Sequence, residues 1–280
     1  MAVWYEEHFE EKMRVALKGS RVLFSERSEF QLVEIVETEL LGRALMLDGL
    51  WMCAEQDEKS YHEMLTHPAL TTAREISRVL IIGGGDGGTA REVLRHAEVE
   101  QVTMVELDEL VVRASKAHLP SIGQAWGDPR LDLRFEDGAA YVRDQDAASY
   151  DVILIDGSDP VGPAAALFGA DFMSQCARVL KPGGVFAAQA GSPLLQRDEH
   201  LGLLSAMRGV FAVTRPYYGN VILYPGGAWS WAFGSHEVDP AHLHESRVVA
   251  AEAVTDIYNR DVHLGAFAVP NHIKRALRDG

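Results

Sequence analysis

Residues 79–88 read Val-Leu-Ile-Ile-Gly-Gly-Gly-Asp-Gly-Gly, and this sequence is the main indication of the fold class. The apolar run at 79–82 is typical of a buried strand, and the glycines behind it permit a tight turn close to a ligand. Apolar residues then recur with helical spacing at positions 90, 93, 94 and 97. A strand, a glycine turn and an amphipathic helix predict the first unit of a Rossmann-type sheet with a nucleotide-type pocket. A glycine pattern alone also fits a merely tight turn.

The alternation of strand and helix continues along the chain and predicts an α/β fold. Further strands are expected at 102–105, 131–135, 152–155 and 185–189, with helices around 110–114 and 172–180. The aromatic, glycine-rich stretch 217–233 indicates that antiparallel strands close the sheet. The pattern therefore predicts a mostly parallel sheet with helices on both faces.

The first 72 residues differ from this pattern and predict a small N-terminal β-hairpin domain. Short apolar and β-branched segments at 21–24, 31–36 and 43–47 are separated by polar breaks, and Asp48-Gly49 is a hairpin-like turn. A helix at 58–72 leads into the main domain, which we place at residues 73–280.

Composition limits the classes of function. The 280 residues carry a net charge of −15, which argues against nucleic acid and anionic membranes as partners. Acidic surfaces attract polyamine-like cations, although many cytosolic proteins are acidic for solubility alone. Cys53 and Cys176 indicate neither a disulfide scaffold nor a zinc site. Without an apolar signal sequence, a cytoplasmic location is expected.

Two acids, Asp156 and Asp159, follow the apolar run 152–155, with Pro163 close behind. Ligands of open α/β sheets bind beyond the carboxyl ends of the strands, so this pair predicts a site for a cationic substrate. The alternative is helix capping combined with an Asp-Pro turn.

Three further positions indicate the second ligand. Glu106 ends the second strand about 20 residues beyond the glycine turn, where an acid can bind ribose hydroxyls. Asp86 would repel a pyrophosphate but attract an aminoalkyl cation, which favours a sulfonium nucleoside over NAD. Asp137-Gly138 follows the third strand and is placed to contact an adenine edge, or simply forms an Asp-Gly turn.

These residues resemble the spermidine synthase (polyamine aminopropyltransferase) family, and the match covers nearly the whole chain. The similar segments, in family order, are 61–64, 81–93, 105–108, 137–138, 156–163, 224–229 and 258–267. The resemblance implies a methyltransferase-like sheet that carries the N-terminal β-domain. It also implies decarboxylated S-adenosylmethionine as aminopropyl donor, putrescine as acceptor, and homodimers or homotetramers.

The resemblance further implies a role for each matched residue. Asp156 would be the catalytic proton acceptor, and Asp159 would help to hold the diamine. The nucleoside would be bound by Gln31, Glu106, Asp137, Gly138 and Pro163. Asp86 would bind the aminopropyl nitrogen, Tyr61 and His62 would lie near the amine channel, and Tyr224 and Trp229 would line the acceptor slot. Val221-Ile222-Leu223 replaces the family's usual Ile-Pro-Thr, which leaves putrescine, cadaverine, agmatine and spermidine open as acceptors.

The chemistry is consistent with these roles. A primary amine with a pKa of about 10.4 is almost entirely protonated at pH 7, so a base must take its proton before it attacks carbon. A buried aspartate can do so and can also aim the nitrogen, which predicts in-line displacement without a metal or covalent intermediate. His62, His67 and His96 show no ligand spacing with acidic partners. The rival functions are an S-adenosylmethionine-dependent putrescine methyltransferase and a non-catalytic polyamine-binding protein.

Overall fold

The computed structural model describes residues 3–9, 11–158 and 167–279, and it contains two β-sheets. The strands are β1 Val3–Phe9, β2 Met13–Arg27, β3 Leu32–Thr38, β4 Gly42–Leu47, β5 Leu50–Ala54, β6 Arg78–Gly83, β7 Gln101–Glu106, β8 Leu131–Phe135, β9 Tyr150–Asp156, β10 Leu180–Gln189, β11 Val213–Asn220 and β12 Ala228–Ser235. The helices are α1 Glu58–Leu70, α2 Gly88–Leu94, α3 Glu109–His118, α4 Gly138–Asp144, α5 Ala170–Val179, α6 Arg197–Arg208, α7 Glu245–Glu252, α8 Arg260–Ala266 and α9 Asn271–Asp279.

The first sheet is antiparallel, with its five strands in sequence order. The predicted turn joins β4 to β5, and both Asp48 and Gly49 have positive φ, as a tight hairpin requires. Strand β2 is 15 residues long and pairs with β1, so this sheet is larger than the hairpin that the sequence predicts. The difference arises because β1 and the first half of β2 carry charged residues and lack a continuous apolar run.

The second sheet confirms the predicted α/β architecture. Its seven strands lie in the order β11-β12-β10-β9-β6-β7-β8, and those from β6 to β10 are parallel. The last two strands are antiparallel, as the stretch 217–233 predicts. Helix α5 ends at Val179, and residues 181–184 interrupt the pairing of β10 with β9, which gives β10 a register irregularity.

Alternate residues of the parallel strands pack into two apolar layers. Val152 and Leu154 of β9 pack in the layer that contains α1 and α2, whereas Ile153 and Ile155 pack against α4, α5 and α6. A third cluster joins β3 and β4 of the first sheet to α3, so helix α3 connects the two sheets. The helices α7 to α9 had no predicted counterpart. The segment between α7 and α8 is tied to α1 by Glu63, whose carboxylate accepts backbone N–H groups from residues 256–258.

The strand order reverses between β6 and β9, and this reversal fixes the position of the site. Strands β6, β7 and β8 run to one side, and β9 and β10 to the other. Gly83 and Asp156 are register partners at the carboxyl ends of the two central strands. Ligands of such sheets bind at this point. None of the helices that the structure describes has the length and apolar character to span a bilayer.

Candidate active site

A cavity of about 340 Å³ lies at the carboxyl ends of β6, β7 and β9. One wall comes from the first sheet, mainly from β4, β5 and their hairpin turn. The opposite wall is the edge of the second sheet. Four acids that the sequence placed at this edge all line the cavity: Asp86, Glu106, Asp137 and Asp156. The carboxylates expected from separate motifs therefore meet in one place.

Asp156 ends β9 and points into the cavity. Its Oδ2 accepts a hydrogen bond of 2.7 Å from the Thr89 hydroxyl, and its carbonyl oxygen accepts the amide of Gly84 at 2.9 Å. Burial raises the pKa of this carboxyl above its ordinary value, although the positive charge of His62 opposes the shift. A raised pKa makes Asp156 a stronger proton acceptor than a free aspartate.

Asp86 lies in the glycine turn and is held from behind by a buried chain of charges. Its Oδ1 accepts the Gly88 amide at 2.7 Å and lies 3.3 Å from Nε2 of His62. The other ring nitrogen, Nδ1, lies 2.6 Å from Glu58 Oε2. Arg91 donates to both oxygens of Glu58, at 3.0 and 2.8 Å. His62 therefore lies between two carboxylates.

The pKa shifts follow from this alternation of charges. Burial alone would lower the pKa of His62, but the carboxylates of Asp86 and Glu58 outweigh it and raise the pKa well above its ordinary value. Burial alone would likewise raise the pKa of Asp86, and the His62 cation holds it below its ordinary value. The site therefore keeps Asp86 ionised although it is largely enclosed by protein.

The chain of charges continues away from the cavity. Arg91 also pairs with Glu92 at 2.7 Å, and Glu92 contacts His67, which in turn contacts His96. The hydrogen bond from His67 and the charge of Arg91 lower the pKa of Glu92 to about 2 despite burial, and burial lowers the pKa of His96 to about 3. The fold therefore gives His62 and His67 acidic partners that the spacing of these histidines in the sequence does not predict. The Glu58/His62 spacing of four helical residues and the Glu92/Arg95 spacing of three are local signals of this network.

The nucleoside end of the cavity contains Glu106 and Asp137. A carboxylate oxygen of Glu106 accepts the Asp108 amide at 2.9 Å, and burial raises the pKa of Glu106 to about 7. Asp137 caps α4 by accepting the Ala140 amide at 2.7 Å, so Asp137-Gly138 begins a helix instead of forming a separate Asp-Gly turn, and both residues line the cavity. Gly138 packs so closely on Ile82 that a Cβ would lie 2.4 Å from its Cγ2.

Gln31 reaches the site from the first sheet. Its Nε2 donates to Asp108 Oδ2 at 3.0 Å, and the Ser28 hydroxyl donates to the same oxygen at 2.7 Å. The other oxygen of Asp108 caps α3 by accepting the Leu110 amide. Asp108 thus binds the two sheets together beside Glu106, a role that the sequence analysis missed.

Aromatic residues form the other end of the cavity. The rings of Tyr61 and Tyr224 line it and meet edge to face, with centroids 5.7 Å apart. The Tyr224 hydroxyl donates to the Met52 carbonyl at 2.7 Å. Trp229 packs behind Tyr224, at 4.4 Å between ring centroids, and is not part of the cavity lining. His62 is likewise behind the lining. Asp159 and Pro163 lie outside the described residues.

The fold and the site together define a class. A methyltransferase-like parallel sheet with a glycine turn and an acidic carboxyl edge is a nucleoside-binding α/β fold. Residues 58–243 match the spermine/spermidine synthase domain, and residues 3–55 match the spermidine synthase tetramerisation domain. The chain belongs to the spermine/spermidine synthase family.

Individual relatives and solved structures match this chain over nearly their whole length. A polyamine aminopropyltransferase of Prochlorococcus marinus is 47% identical, with 98% of this chain and 96% of the relative covered. One from Shouchella clausii is 38% identical, with 99% and 100% covered. The crystal structure of a spermidine synthase in complex with the transition state analogue AdoDATO superposes with a TM-score of 0.96 at 37% identity, covering 99% of this chain and 96% of that one. Spermidine synthase from Thermotoga maritima gives a TM-score of 0.94 at 37% identity, covering 99% and 95%.

Proposed function

We propose that this chain is an aminopropyltransferase that moves the aminopropyl group of decarboxylated S-adenosylmethionine to putrescine, giving spermidine and methylthioadenosine. One observation supports it above the others: Asp86, Asp156 and Glu106 line a single cavity between a glycine turn and an aromatic wall. Two cationic reactants that must approach each other need such an arrangement of carboxylates.

We assign the roles along the cavity as follows. Glu106 binds the ribose hydroxyls, and Gln31, Asp137 and Gly138 surround the rest of the nucleoside. Asp86 binds the ammonium of the aminopropyl group, and His62 keeps that carboxylate charged from behind. Tyr61 and Tyr224 flank the alkyl chain of the acceptor, since aromatic faces attract ammonium groups.

The reaction is a single displacement. Asp156 takes a proton from the acceptor amine, and the freed nitrogen lone pair attacks the carbon beside the sulfonium. The carbon–sulfur bond breaks, and its electron pair stays on sulfur, which leaves as neutral methylthioadenosine. Alignment supplies much of the acceleration, because the sulfonium is already a good leaving group.

The amine methyltransferase alternative is not favoured, because the relatives that match over the full chain carry aminopropyltransferase names. Asp86 also suits a donor whose tail carries only an ammonium group better than one that also carries a carboxylate.

The decisive experiment supplies purified protein with putrescine and each donor separately, and identifies the products by mass. We expect spermidine and methylthioadenosine from decarboxylated S-adenosylmethionine, and no methylated amine from S-adenosylmethionine. Transfer of a methyl group, or binding of both ligands without turnover, would overturn the proposal.

We also propose a homotetramer in the cytoplasm. The match of residues 3–55 to a tetramerisation domain supports the assembly. Cys53 and Cys176 are buried free thiols, which suit a reducing compartment. Size-exclusion chromatography with light scattering tests the assembly.

A further inference from the structure

Asp57 is a buried carboxylate that lies outside the cavity lining and has no assigned role. It occupies the N-cap position of α1, yet its side chain makes no capping hydrogen bond to that helix. Instead, Oδ2 accepts the Leu223 amide at 2.9 Å, and Oδ1 lies 3.4 Å from the Ile222 amide. An N-cap aspartate normally binds its own helix, so this carboxylate is committed to a segment more than 160 residues away.

The two ends of this contact carry the two aromatic walls of the cavity. Tyr61 lies in the first turn of α1, four residues after Asp57, and Tyr224 follows Leu223 directly. Three further backbone hydrogen bonds are internal to the 221–227 segment: the Val221 amide donates to the Gly227 carbonyl, the Tyr224 amide to that of Val221, and the Gly227 amide to that of Tyr224. The Tyr224 side chain has a separate contact, through its hydroxyl, to the Met52 carbonyl. Asp57 therefore connects this compact turn to the helix that carries the opposing tyrosine.

The negative charge of Asp57 is also not balanced by an ion pair among the described residues. Only 4% of the residue is exposed, and among the described residues no cation forms an ion pair with it. Burial raises its pKa, and the two backbone N–H groups partly offset that shift. A buried acid bound only by amides is costly unless its geometry is needed.

We propose that Asp57 is a positioning residue that fixes the gap between Tyr61 and Tyr224 and thereby sets the affinity and length preference for the acceptor amine. The inference rests on the proposed function, since it takes the aromatic end as the acceptor slot. The contact with Asp57 also involves position 222, where this chain departs from the family's usual sequence. The family's usual proline at position 222 has no N–H, whereas Ile222 presents one to Asp57.

The test compares Asp57→Asn and Asp57→Ala with the wild type in steady-state assays on putrescine and cadaverine. We expect the KM for putrescine to rise about tenfold in Asp57→Ala, and less in Asp57→Asn, which keeps one acceptor oxygen. The KM for the donor and the Kd for methylthioadenosine should stay within about twofold of the wild-type values. The ratio of kcat/KM for putrescine to that for cadaverine should move closer to one.

Asp151→Asn is the matched control. Asp151 is a buried carboxylate that accepts the Arg78 amide at 2.8 Å and, unlike Asp57, also pairs with Lys181 at 2.9 Å; it lies at the start of β9, far from the cavity edge. We expect this variant to lower thermal stability without changing either KM. A general loss of stability would therefore not imitate the effect at Asp57.

A double-mutant cycle with Tyr224→Ala distinguishes positioning from a structural role. If Asp57 acts through Tyr224, its substitution should add little to the putrescine KM once that ring is removed. Additive effects, or an unchanged putrescine KM in Asp57→Asn, would overturn the inference. A wild-type protein that transfers no aminopropyl group would instead refute the proposed function.

Discussion

His62 lies directly behind Asp86, with Nε2 3.3 Å from Oδ1, and is itself 1% exposed. The two groups stabilise each other's charged forms. The contribution of the raised His62 pKa is present at low pH and is lost as the pH rises through that pKa. The contribution of the lowered Asp86 pKa is present at higher pH and is lost as the pH falls through it. The two contributions are therefore both fully present between the ordinary pKa of Asp86, 3.8, and that of His62, 6.5.

Replacing His62 with Gln should uncouple this pair. Burial then dominates at Asp86, so its pKa rises and the carboxylate is lost at mildly acidic pH. We expect the KM for decarboxylated S-adenosylmethionine to rise at least about tenfold at pH 6, and less at pH 8. Initial rates across pH measure this. His200→Gln is the control, because burial lowers the pKa of His200 to about 4 and that ring is neutral. Equal effects at both pH values would contradict the role given to His62.

Asp156→Asn should separate chemistry from binding. The variant keeps the hydrogen-bonding shape beside Thr89 but cannot accept a proton. Turnover is expected to fall by at least about 10²-fold, whereas methylthioadenosine should bind as in the wild type. Single-turnover mixing and calorimetry give the two quantities. Near-normal turnover would remove Asp156 from the proposed mechanism.

The raised pKa of Glu106 predicts that nucleoside binding releases protons. Burial raises its pKa to about 7 from 4.5, so part of the population is protonated at neutral pH. Ribose hydroxyls that donate to the carboxylate favour its ionised form and lower that pKa. Methylthioadenosine binding at pH 7 should therefore release a fraction of a proton, measured by calorimetry in buffers of different ionisation enthalpy. Glu106→Gln should show no release.

The raised pKa of Glu106 also predicts how the free energy of unfolding changes with pH. Because the folded pKa exceeds the unfolded one, ionisation of Glu106 lowers the free energy of unfolding as the pH rises from 4.5 through about 7. Without ligand, Glu106→Gln should gain up to about 3 kcal/mol at pH 8 and almost nothing at pH 4.5. Urea unfolding at the two pH values tests the sign, and a loss at pH 8 would contradict it.

Gly83→Ala should disrupt the fold at the centre of the site. Gly83 has a φ of +84°, and a Cβ there would lie 2.2 Å from the Asp156 carbonyl oxygen. Backbone cannot move aside cheaply, so we expect a loss of more than about 3 kcal/mol in unfolding free energy. Gly202→Ala is the control. It lies on the exposed face of α6 with nothing near its Cβ, and should gain up to about 1 kcal/mol. A soluble, fully stable Gly83→Ala protein would contradict this account.

The centre of the second sheet was predictable because strands β6 and β9 are continuous apolar runs that end in glycine or acid. Residues 79–82 and 152–155 carry that signal, and the carboxyl ends of parallel strands must share one edge. The acids at 86, 106, 137 and 156 could therefore be brought together from sequence position alone. Tyr61 and Tyr224 were placed only through the family resemblance, since nothing local distinguishes them from core aromatics.

The charges behind the site were not predictable in the same way. Arg91 and Glu58 are 33 residues apart, and Asp57 and Leu223 are 166 apart. Such pairs depend on how helix α1 packs against α2 and the last strands, which periodicity does not specify. Strand β1 was missed for a different reason, because its charged residues hide the period-two pattern of a partly exposed sheet.

The hydrogen bonds from Ser28 and Gln31 to Asp108 join the N-terminal sheet, whose residues 3–55 match a tetramerisation domain, to the wall of the cavity. A chimera that exchanged residues 3–55 for those of a relative would replace one wall of the cavity and, with it, the segment proposed to form the tetramer contact. Substitutions in residues 3–55 could then change ligand preference and subunit assembly at the same time, so a change that suits one property is limited by its effect on the other.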